Sequence, residues 1–155
     1  SRPSMVRDAA RLQEALGELI RVLQLRDRDR ACCYDLPVSQ CHALQALIQS
    51  GPMTVTQLGS HLYLEKSTAS RLANALLKKE LVRKRAPRED GRVVILQVTE
   101  TGHRLARKIM NDLSEEYRDL LEEFEPEVRV ALPLLLDRLT QIISARTDPE
   151  GITCC

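Results

Sequence analysis

Aromatic residues are nearly missing from this chain of 155 residues, which has no Trp, one Phe and three Tyr. Its core must therefore be packed mainly by Leu, Val, Ile and Ala, and the 43% hydrophobic content is enough for one. No run of about 18 apolar residues occurs, so no membrane-spanning helix is expected. The first residues are polar and charged, unlike a signal peptide, and a cytoplasmic location is expected. Ser1-Arg2-Pro3-Ser4 precede Met5, where a native start is expected. Catalytic signatures are missing too: there is no phosphate-binding glycine loop, no H-E-x-x-H and no nucleophile elbow. A thiol enzyme pairing a cysteine with His42, His61 or His103 is the enzymatic reading left over, and the chain is expected not to be an enzyme. Those histidines do not form a recognised zinc-ligand run.

Net charge is also small, +1 at pH 7, and taken globally it says little about a polyanionic partner. Its distribution says more. Residues 64–92 hold nine Lys or Arg against four Asp or Glu, and the rest of the chain holds 14 against 18. A basic segment on an acidic body suits a face that meets phosphates.

That segment belongs to the most ordered stretch of the sequence, Thr54 to Val98. Val55, Leu58 and Leu62 recur at helical spacing, and Thr54 with Gln57 forms a capping box. After a short connection, a second helix buries Ala69, Leu72, Ala73, Leu76 and Leu77. Its other side carries Ser67, Ser70, Arg71, Asn74 and Lys78 as one polar stripe. Such a stripe is also what an ordinary solvated helix face looks like. The chemistry nonetheless fits nucleic acid: hydroxyls near a helix N-terminus suit phosphate oxygens, Arg forks onto guanine, and Asn onto adenine. Leu81 to Arg85 and Val93 to Val98 then read as strands. Between them, Pro87 and the Asp90-Gly91 pair are turn formers, so the connection projects arginines from a hairpin tip.

Helix, turn, helix and basic hairpin make a winged helix-turn-helix, and here the chain resembles the MarR family of bacterial transcription regulators. The resemblance is carried by Thr54-Val-Thr-Gln-Leu, Leu64-Glu-Lys-Ser-Thr-Ala-Ser-Arg-Leu, Leu81-Val-Arg-Lys, Pro87-Arg-Glu-Asp-Gly-Arg and Leu96-Gln-Val-Thr-Glu-Thr-Gly. It implies a homodimeric regulator of double-stranded DNA, in most relatives a repressor released by a small molecule or oxidant. Two-fold symmetry would call for a near-palindromic operator with half-sites about 34 Å apart. By this resemblance Ser70 and Arg71 contact base edges or flanking phosphates. Lys66, Ser67 and Thr68 grip the backbone, and Asn74 adds a contact. At the wing, Arg88 and Arg92 face DNA, Arg92 in or along the minor groove. Asp90 pairs with Arg88 or Arg92, or serves only as the Asp of an Asp-Gly turn. A winged-helix module that binds only protein is the competing reading. The basic residues on both stripe and wing argue against it.

Two positions depart from the family pattern. Glu80 stands where relatives usually place Gly at a left-handed helix end, a geometry that costs a side chain about 1 kcal/mol. Glu65 stands at the N-cap of the second helix, where a longer carboxylate caps less well than Ser, Thr or Asp.

The flanks are helical. Met5 to about Arg30 carries an apolar stripe from Val6 to Leu23, widened by Val22 and Leu25, that exceeds what a small domain buries. Ala31 to Val38 reads as a link, and Ser39 as the N-cap of a helix from Gln40 to Gln49 with Leu44, Leu47 and Ile48 inward. Thr99 caps a long helix to about Glu123, with Leu105, Ile109, Leu113, Tyr117, Leu120 and Leu121 on its inner side. Pro126 opens a last helix to about Arg146, with Pro133 inside it expected to kink it. The expected organisation is an N-terminal dimerisation helix and link (1–37), the winged helix-turn-helix (38–98), and C-terminal dimerisation helices with a tail (99–155). The fold class is mainly α with a small β-hairpin wing.

Five cysteines remain: Cys32, Cys33, Cys41, Cys154 and Cys155. A reducing compartment makes a structural disulfide framework unexpected. The first three cluster at the junction of the first two helices, which in relatives lies beside the inducer cleft. Adjacent thiols are soft ligands, and a third from another segment would complete a site for trivalent arsenic, mercury or cadmium. Oxidation through sulfenic acid to an inter-segment disulfide is the rival, and Cys41 packed as a small hydrophobe with an incidental tail pair is the plain alternative. No cofactor is required under any of these readings.

Overall fold

The structure, a computed structural model, describes residues 2–86 and 93–147, and the backbone alone for 29–33. In chain order it forms α1 (Arg2–Tyr34), α2 (Val38–Ser50), β1 (Met53–Thr54), α3 (Val55–His61) and α4 (Lys66–Lys78). It continues with β2 (Val82–Arg85), β3 (Ile95–Val98), α5 (Glu100–Glu122) and α6 (Pro126–Arg146). The fold is thus mainly helical with a small antiparallel sheet, as the sequence implied.

Several expectations change: the second wing strand, expected from Val93, begins at Ile95. The first helix continues through Ala31 to Tyr34, so the expected link shrinks to Asp35-Leu36-Pro37. Nothing in residues 31–34 breaks a helix. Pro37 restricts only Leu36, and the chain turns at Asp35 with φ 51°. Ser39 is not the N-cap of α2: Pro37 occupies that place, extended at φ −55° and ψ 148°. Proline already has the extended backbone an N-cap needs, and its carbonyl accepts from the Gln40 and Cys41 amides at 2.9 and 3.1 Å. A third strand, β1, was not foreseen. It pairs Met53 with Leu96 and Thr54 with Ile95, giving the sheet order β1-β3-β2. Two residues are too few for any periodicity to announce a strand.

Local signals hold elsewhere. The Thr54 hydroxyl accepts from the Gln57 amide at 3.1 Å, and the Gln57 side chain accepts from the Thr54 amide at 2.9 Å. Thr99 caps α5 by accepting from the Gly102 amide at 3.1 Å. Pro126 sits at the start of α6, which runs on through Pro133.

The core is formed by α2, α3, α4, the sheet and the first half of α5. Leu44, Leu58, Leu76 and Leu96 are fully enclosed, each worth about 1.5–3 kcal/mol of burial. The outer helices differ. No described residue of α1 and none of α6 is buried, and Val6, Val130, Leu134 and Leu135 are each more than 60% exposed. Tyr117 and Leu120, expected on the inner side of α5, are exposed as well. In this chain alone, the far half of α5 has no core to pack on. No helix among the described residues is long and apolar enough to cross a membrane.

Candidate nucleic-acid interface

The interface is built on the turn between α3 and α4. Helix α3 ends with Tyr63 in the left-handed region, φ 57°. The Leu64 amide donates to the Gly59 carbonyl at 2.8 Å and the Tyr63 amide to Ser60 at 3.4 Å, the pair of bonds of a Schellman end. A Cβ at Gly59 would lie 3.1 Å from the Ala69 Cβ and 3.2 Å from the Leu64 carbonyl oxygen. Glycine there lets the two helices approach closely.

Helix α4 is fixed by its apolar side. Ala69 and Leu76 are fully buried, and Ala73 and Leu72 nearly so. That rotation turns Lys66, Ser67, Arg71, Asn74 and Lys78 to solvent and leaves Thr68 and Ser70 half-exposed. The residues read as a stripe therefore do lie together on one open face. Arg71 Nη2 donates to Thr68 Oγ1 at 3.3 Å, which steadies the guanidinium along the helix. Glu65 is the N-cap and makes no side-chain cap bond, as its length suggested. The first-turn amides of α4 thus stay open toward whatever approaches that end.

The far end of α4 keeps the left-handed geometry despite its carboxylate side chain. Glu80 has φ 59°. Its amide donates to the Leu77 carbonyl at 3.0 Å, and the Leu81 amide to Leu76 at 3.1 Å, a second Schellman end. The chain then enters β2, where Arg83, Lys84 and Arg85 are all exposed. Arg83 Nη2 donates to Gln97 Oε1 on β3 at 3.1 Å. These three cations extend the basic surface from α4 along the wing. They were not among the expected site residues, although three consecutive cations in a strand were there to read. Arg88, Asp90 and Arg92 lie outside the described residues, as do Cys154 and Cys155 and the side chains of Cys32 and Cys33.

Behind α4 lies the α1–α2 junction. An open cleft of about 820 Å³ is lined there by Arg21, Gln24, Leu25, Asp27, Arg28, Pro37 and Val38. Tyr34 at the end of α1 donates its hydroxyl to the Asp112 carboxylate on α5. Arg26 pairs with Glu116 at 3.3 Å and lies over the Tyr117 ring. Cys41 is half-buried, its thiol directed at the Leu36 carbonyl at 4.0 Å. Burial pushes that thiol above its ordinary pKa, outweighing the backbone hydrogen bond and the Lys79 charge that favour the thiolate. Burial that disfavours the thiolate makes a thiol a poorer nucleophile. Among the described residues no group of three or more His, Cys, Asp or Glu is placed to hold a metal ion.

This architecture has close counterparts. A family model described as MarR family matches residues 34–93. The chain is 32% identical over 130 residues to the uncharacterized HTH-type transcriptional regulator YxaD of Bacillus subtilis, covering 84% of this chain and 91% of that protein. It is 28% identical to YsmB of the same organism, an uncharacterized HTH-type transcriptional regulator, covering 76% and 81%. A MarR family protein from Bacillus stearothermophilus superposes with a TM-score of 0.76 at 28% identity, covering 89% of this chain and 96% of that one. PcaV of Streptomyces coelicolor, solved with its natural ligand, shares the fold with a TM-score of 0.66 at 21% identity, covering 81% and 91%. With a winged helix-turn-helix whose second helix presents a basic, hydrogen-bonding face, the chain belongs to the MarR family and is a transcriptional regulator.

Proposed function

We propose that the protein is a homodimeric repressor that lays α4 in the major groove of a near-palindromic operator and lets go when an effector arrives. One observation carries the reading. The apolar side of α4 is sealed in the core, and its outward side is a continuous row of Lys66, Ser67, Arg71, Asn74 and Lys78 that runs on into the cations of β2. A solvated face has no need of a matching basic strand beside it. Phosphate positioning falls to Lys66, Ser67 and Thr68 with the open amides at the start of α4, and base reading to Ser70, Arg71 and Asn74. Arg88 and Arg92 extend the contact at the wing, Arg92 in or along the minor groove.

Dimerisation follows from the apolar surface left over on α1, the far half of α5, and α6. Association of two copies would remove those side chains from water, and a two-fold axis would present two recognition helices to successive major grooves. The effector is a small molecule, a thiophilic metal or metalloid, or an oxidant. The cleft at the α1–α2 junction falls in the size range of small-molecule sites. Thiol chemistry falls to Cys32, Cys33, Cys41, Cys154 and Cys155, with Cys41 made a poorer nucleophile because its burial disfavours the thiolate.

Two measurements test the reading. A gel shift against a randomised duplex pool should enrich a near-palindrome, with affinity falling steeply as salt rises. Sedimentation should show a dimer at micromolar concentration. A stable monomer, or binding indifferent to sequence and salt, would refute it.

A further inference from the structure

The end of α4 is joined to the α1–α2 junction through the Lys79 side chain. Lys79 Nζ donates to the Gln40 side-chain oxygen at 2.9 Å and to the Asp35 carbonyl at 3.0 Å. Gln40 is 8% exposed, the one buried polar residue among the described residues, and a buried amide oxygen without a donor is costly. Asp35 directly follows α1 at φ 51°, so its carbonyl belongs to the unsatisfied end of that helix, where a cation is favoured. The two acceptors flank Pro37 and Val38, which line the cleft. Lys79 thus ties the last turn of the DNA-facing helix to both sides of the α1–α2 junction.

We infer that Lys79 is a positioning residue for DNA binding, one that passes the geometry of the α1–α2 junction to α4 without touching DNA itself. The inference rests on the proposed role of α4 in the major groove. The lever is long: 13 residues rise about 20 Å, so a tilt of about 5° at the held end displaces the other by roughly 2 Å. Hydrogen bonds to base edges tolerate a few tenths of an ångström. An occupant of the cleft that moves Pro37 and Val38 shifts Asp35 and Gln40 with them, and Lys79 carries the shift into α4.

The experiment compares the full-length wild type with Lys79→Met, Gln40→Met, the double variant and Lys79→Arg. The probe is a duplex enriched by the wild type from a randomised pool, and affinity is referred to the active fraction at several salt concentrations. Each single methionine variant should lose about three- to thirtyfold in affinity, with an unchanged salt slope. The double variant should lose no more than the worse single, and Lys79→Arg should recover most of the loss. Unchanged affinity in Lys79→Met would overturn the inference. So would a salt slope lowered by about one in that variant with Gln40→Met at wild-type affinity, because Lys79 would then be a phosphate contact. A wild type that enriches no duplex would overturn both this inference and the DNA-binding reading beneath it.

Discussion

The Thr99 hydroxyl donates to the Glu80 carbonyl at 2.7 Å while it accepts from the Gly102 amide at 3.1 Å. The Thr99 amide adds a bond to the Leu81 carbonyl at 3.0 Å. One residue therefore caps α5 and grips the end of α4, joining the long C-terminal helix to the recognition helix. The fit is close: a Cβ at Gly102 would come to 2.1 Å from the Leu81 carbonyl oxygen. That oxygen is backbone, so it cannot step aside as a flexible side chain would.

Gly102→Ala should destabilise the protein by about 1–3 kcal/mol or more, the usual range for forcing an extra carbon into a packed site. Thr99→Val should cost about 1 kcal/mol through the lost cap. Urea denaturation checks both. An alanine variant as stable as wild type would mean that α5 and Leu81 are not in contact as described.

Two of the left-handed side chains at helix ends predict the opposite sign. At Glu80 and Tyr63, glycine relieves about 1 kcal/mol of backbone strain, partly offset by the greater freedom of glycine in the unfolded chain. Glu80→Gly should therefore raise stability by a few tenths to about 1 kcal/mol, and Tyr63→Gly by a similar amount. Loss of stability at Glu80 would show that its carboxylate side chain contributes more than the strain it causes.

Arg71 and Arg92 should fail in different ways. Arg71→Ala should cost about 1–3 kcal/mol in operator binding and relax sequence preference at one position if it reads a base. Arg92→Ala should weaken binding more evenly across sequences and flatten the salt slope by about one. Binding curves across single-base operator variants separate the two. Wild-type affinity in Arg71→Ala would remove the residue from the interface.

Cysteine variants divide the sensing question. Because Cys41 is half-buried and burial raises its pKa, Cys41→Ser should respond to arsenite, mercury or peroxide much as wild type does, and alkylation of Cys41 should be slow at neutral pH. The response, read as operator release, should be lost when Cys32 and Cys33 or Cys154 and Cys155 are changed to Ser. Release requires tighter binding of the signal to the DNA-incompetent form, so a variant that binds the metal but keeps its DNA would not count as sensing. An all-serine protein that still responds would place the sensor elsewhere.

Local chemistry alone determined much of this molecule. The Thr54 and Gln57 box, the Thr99 cap, Pro126 at a helix start and the apolar spacing of α4 each involve residues within a few positions of one another. Their structure follows from short-range sterics and hydrogen bonding. The open stripe of α4 was legible for the same reason: a helix with one apolar side has no choice about where the other side points. Tertiary structure decided what depends on distant partners. Met53 and Thr54 became a strand only because Ile95 and Leu96 lie alongside. Gly102 is needed only because the Leu81 carbonyl passes above it. Lys79 carries no local signal of its role, which arises only because the fold brings Gln40, 39 residues earlier, within 2.9 Å. Each of these contacts forms only after a long loop has closed, and no pattern within one turn of the chain encodes it.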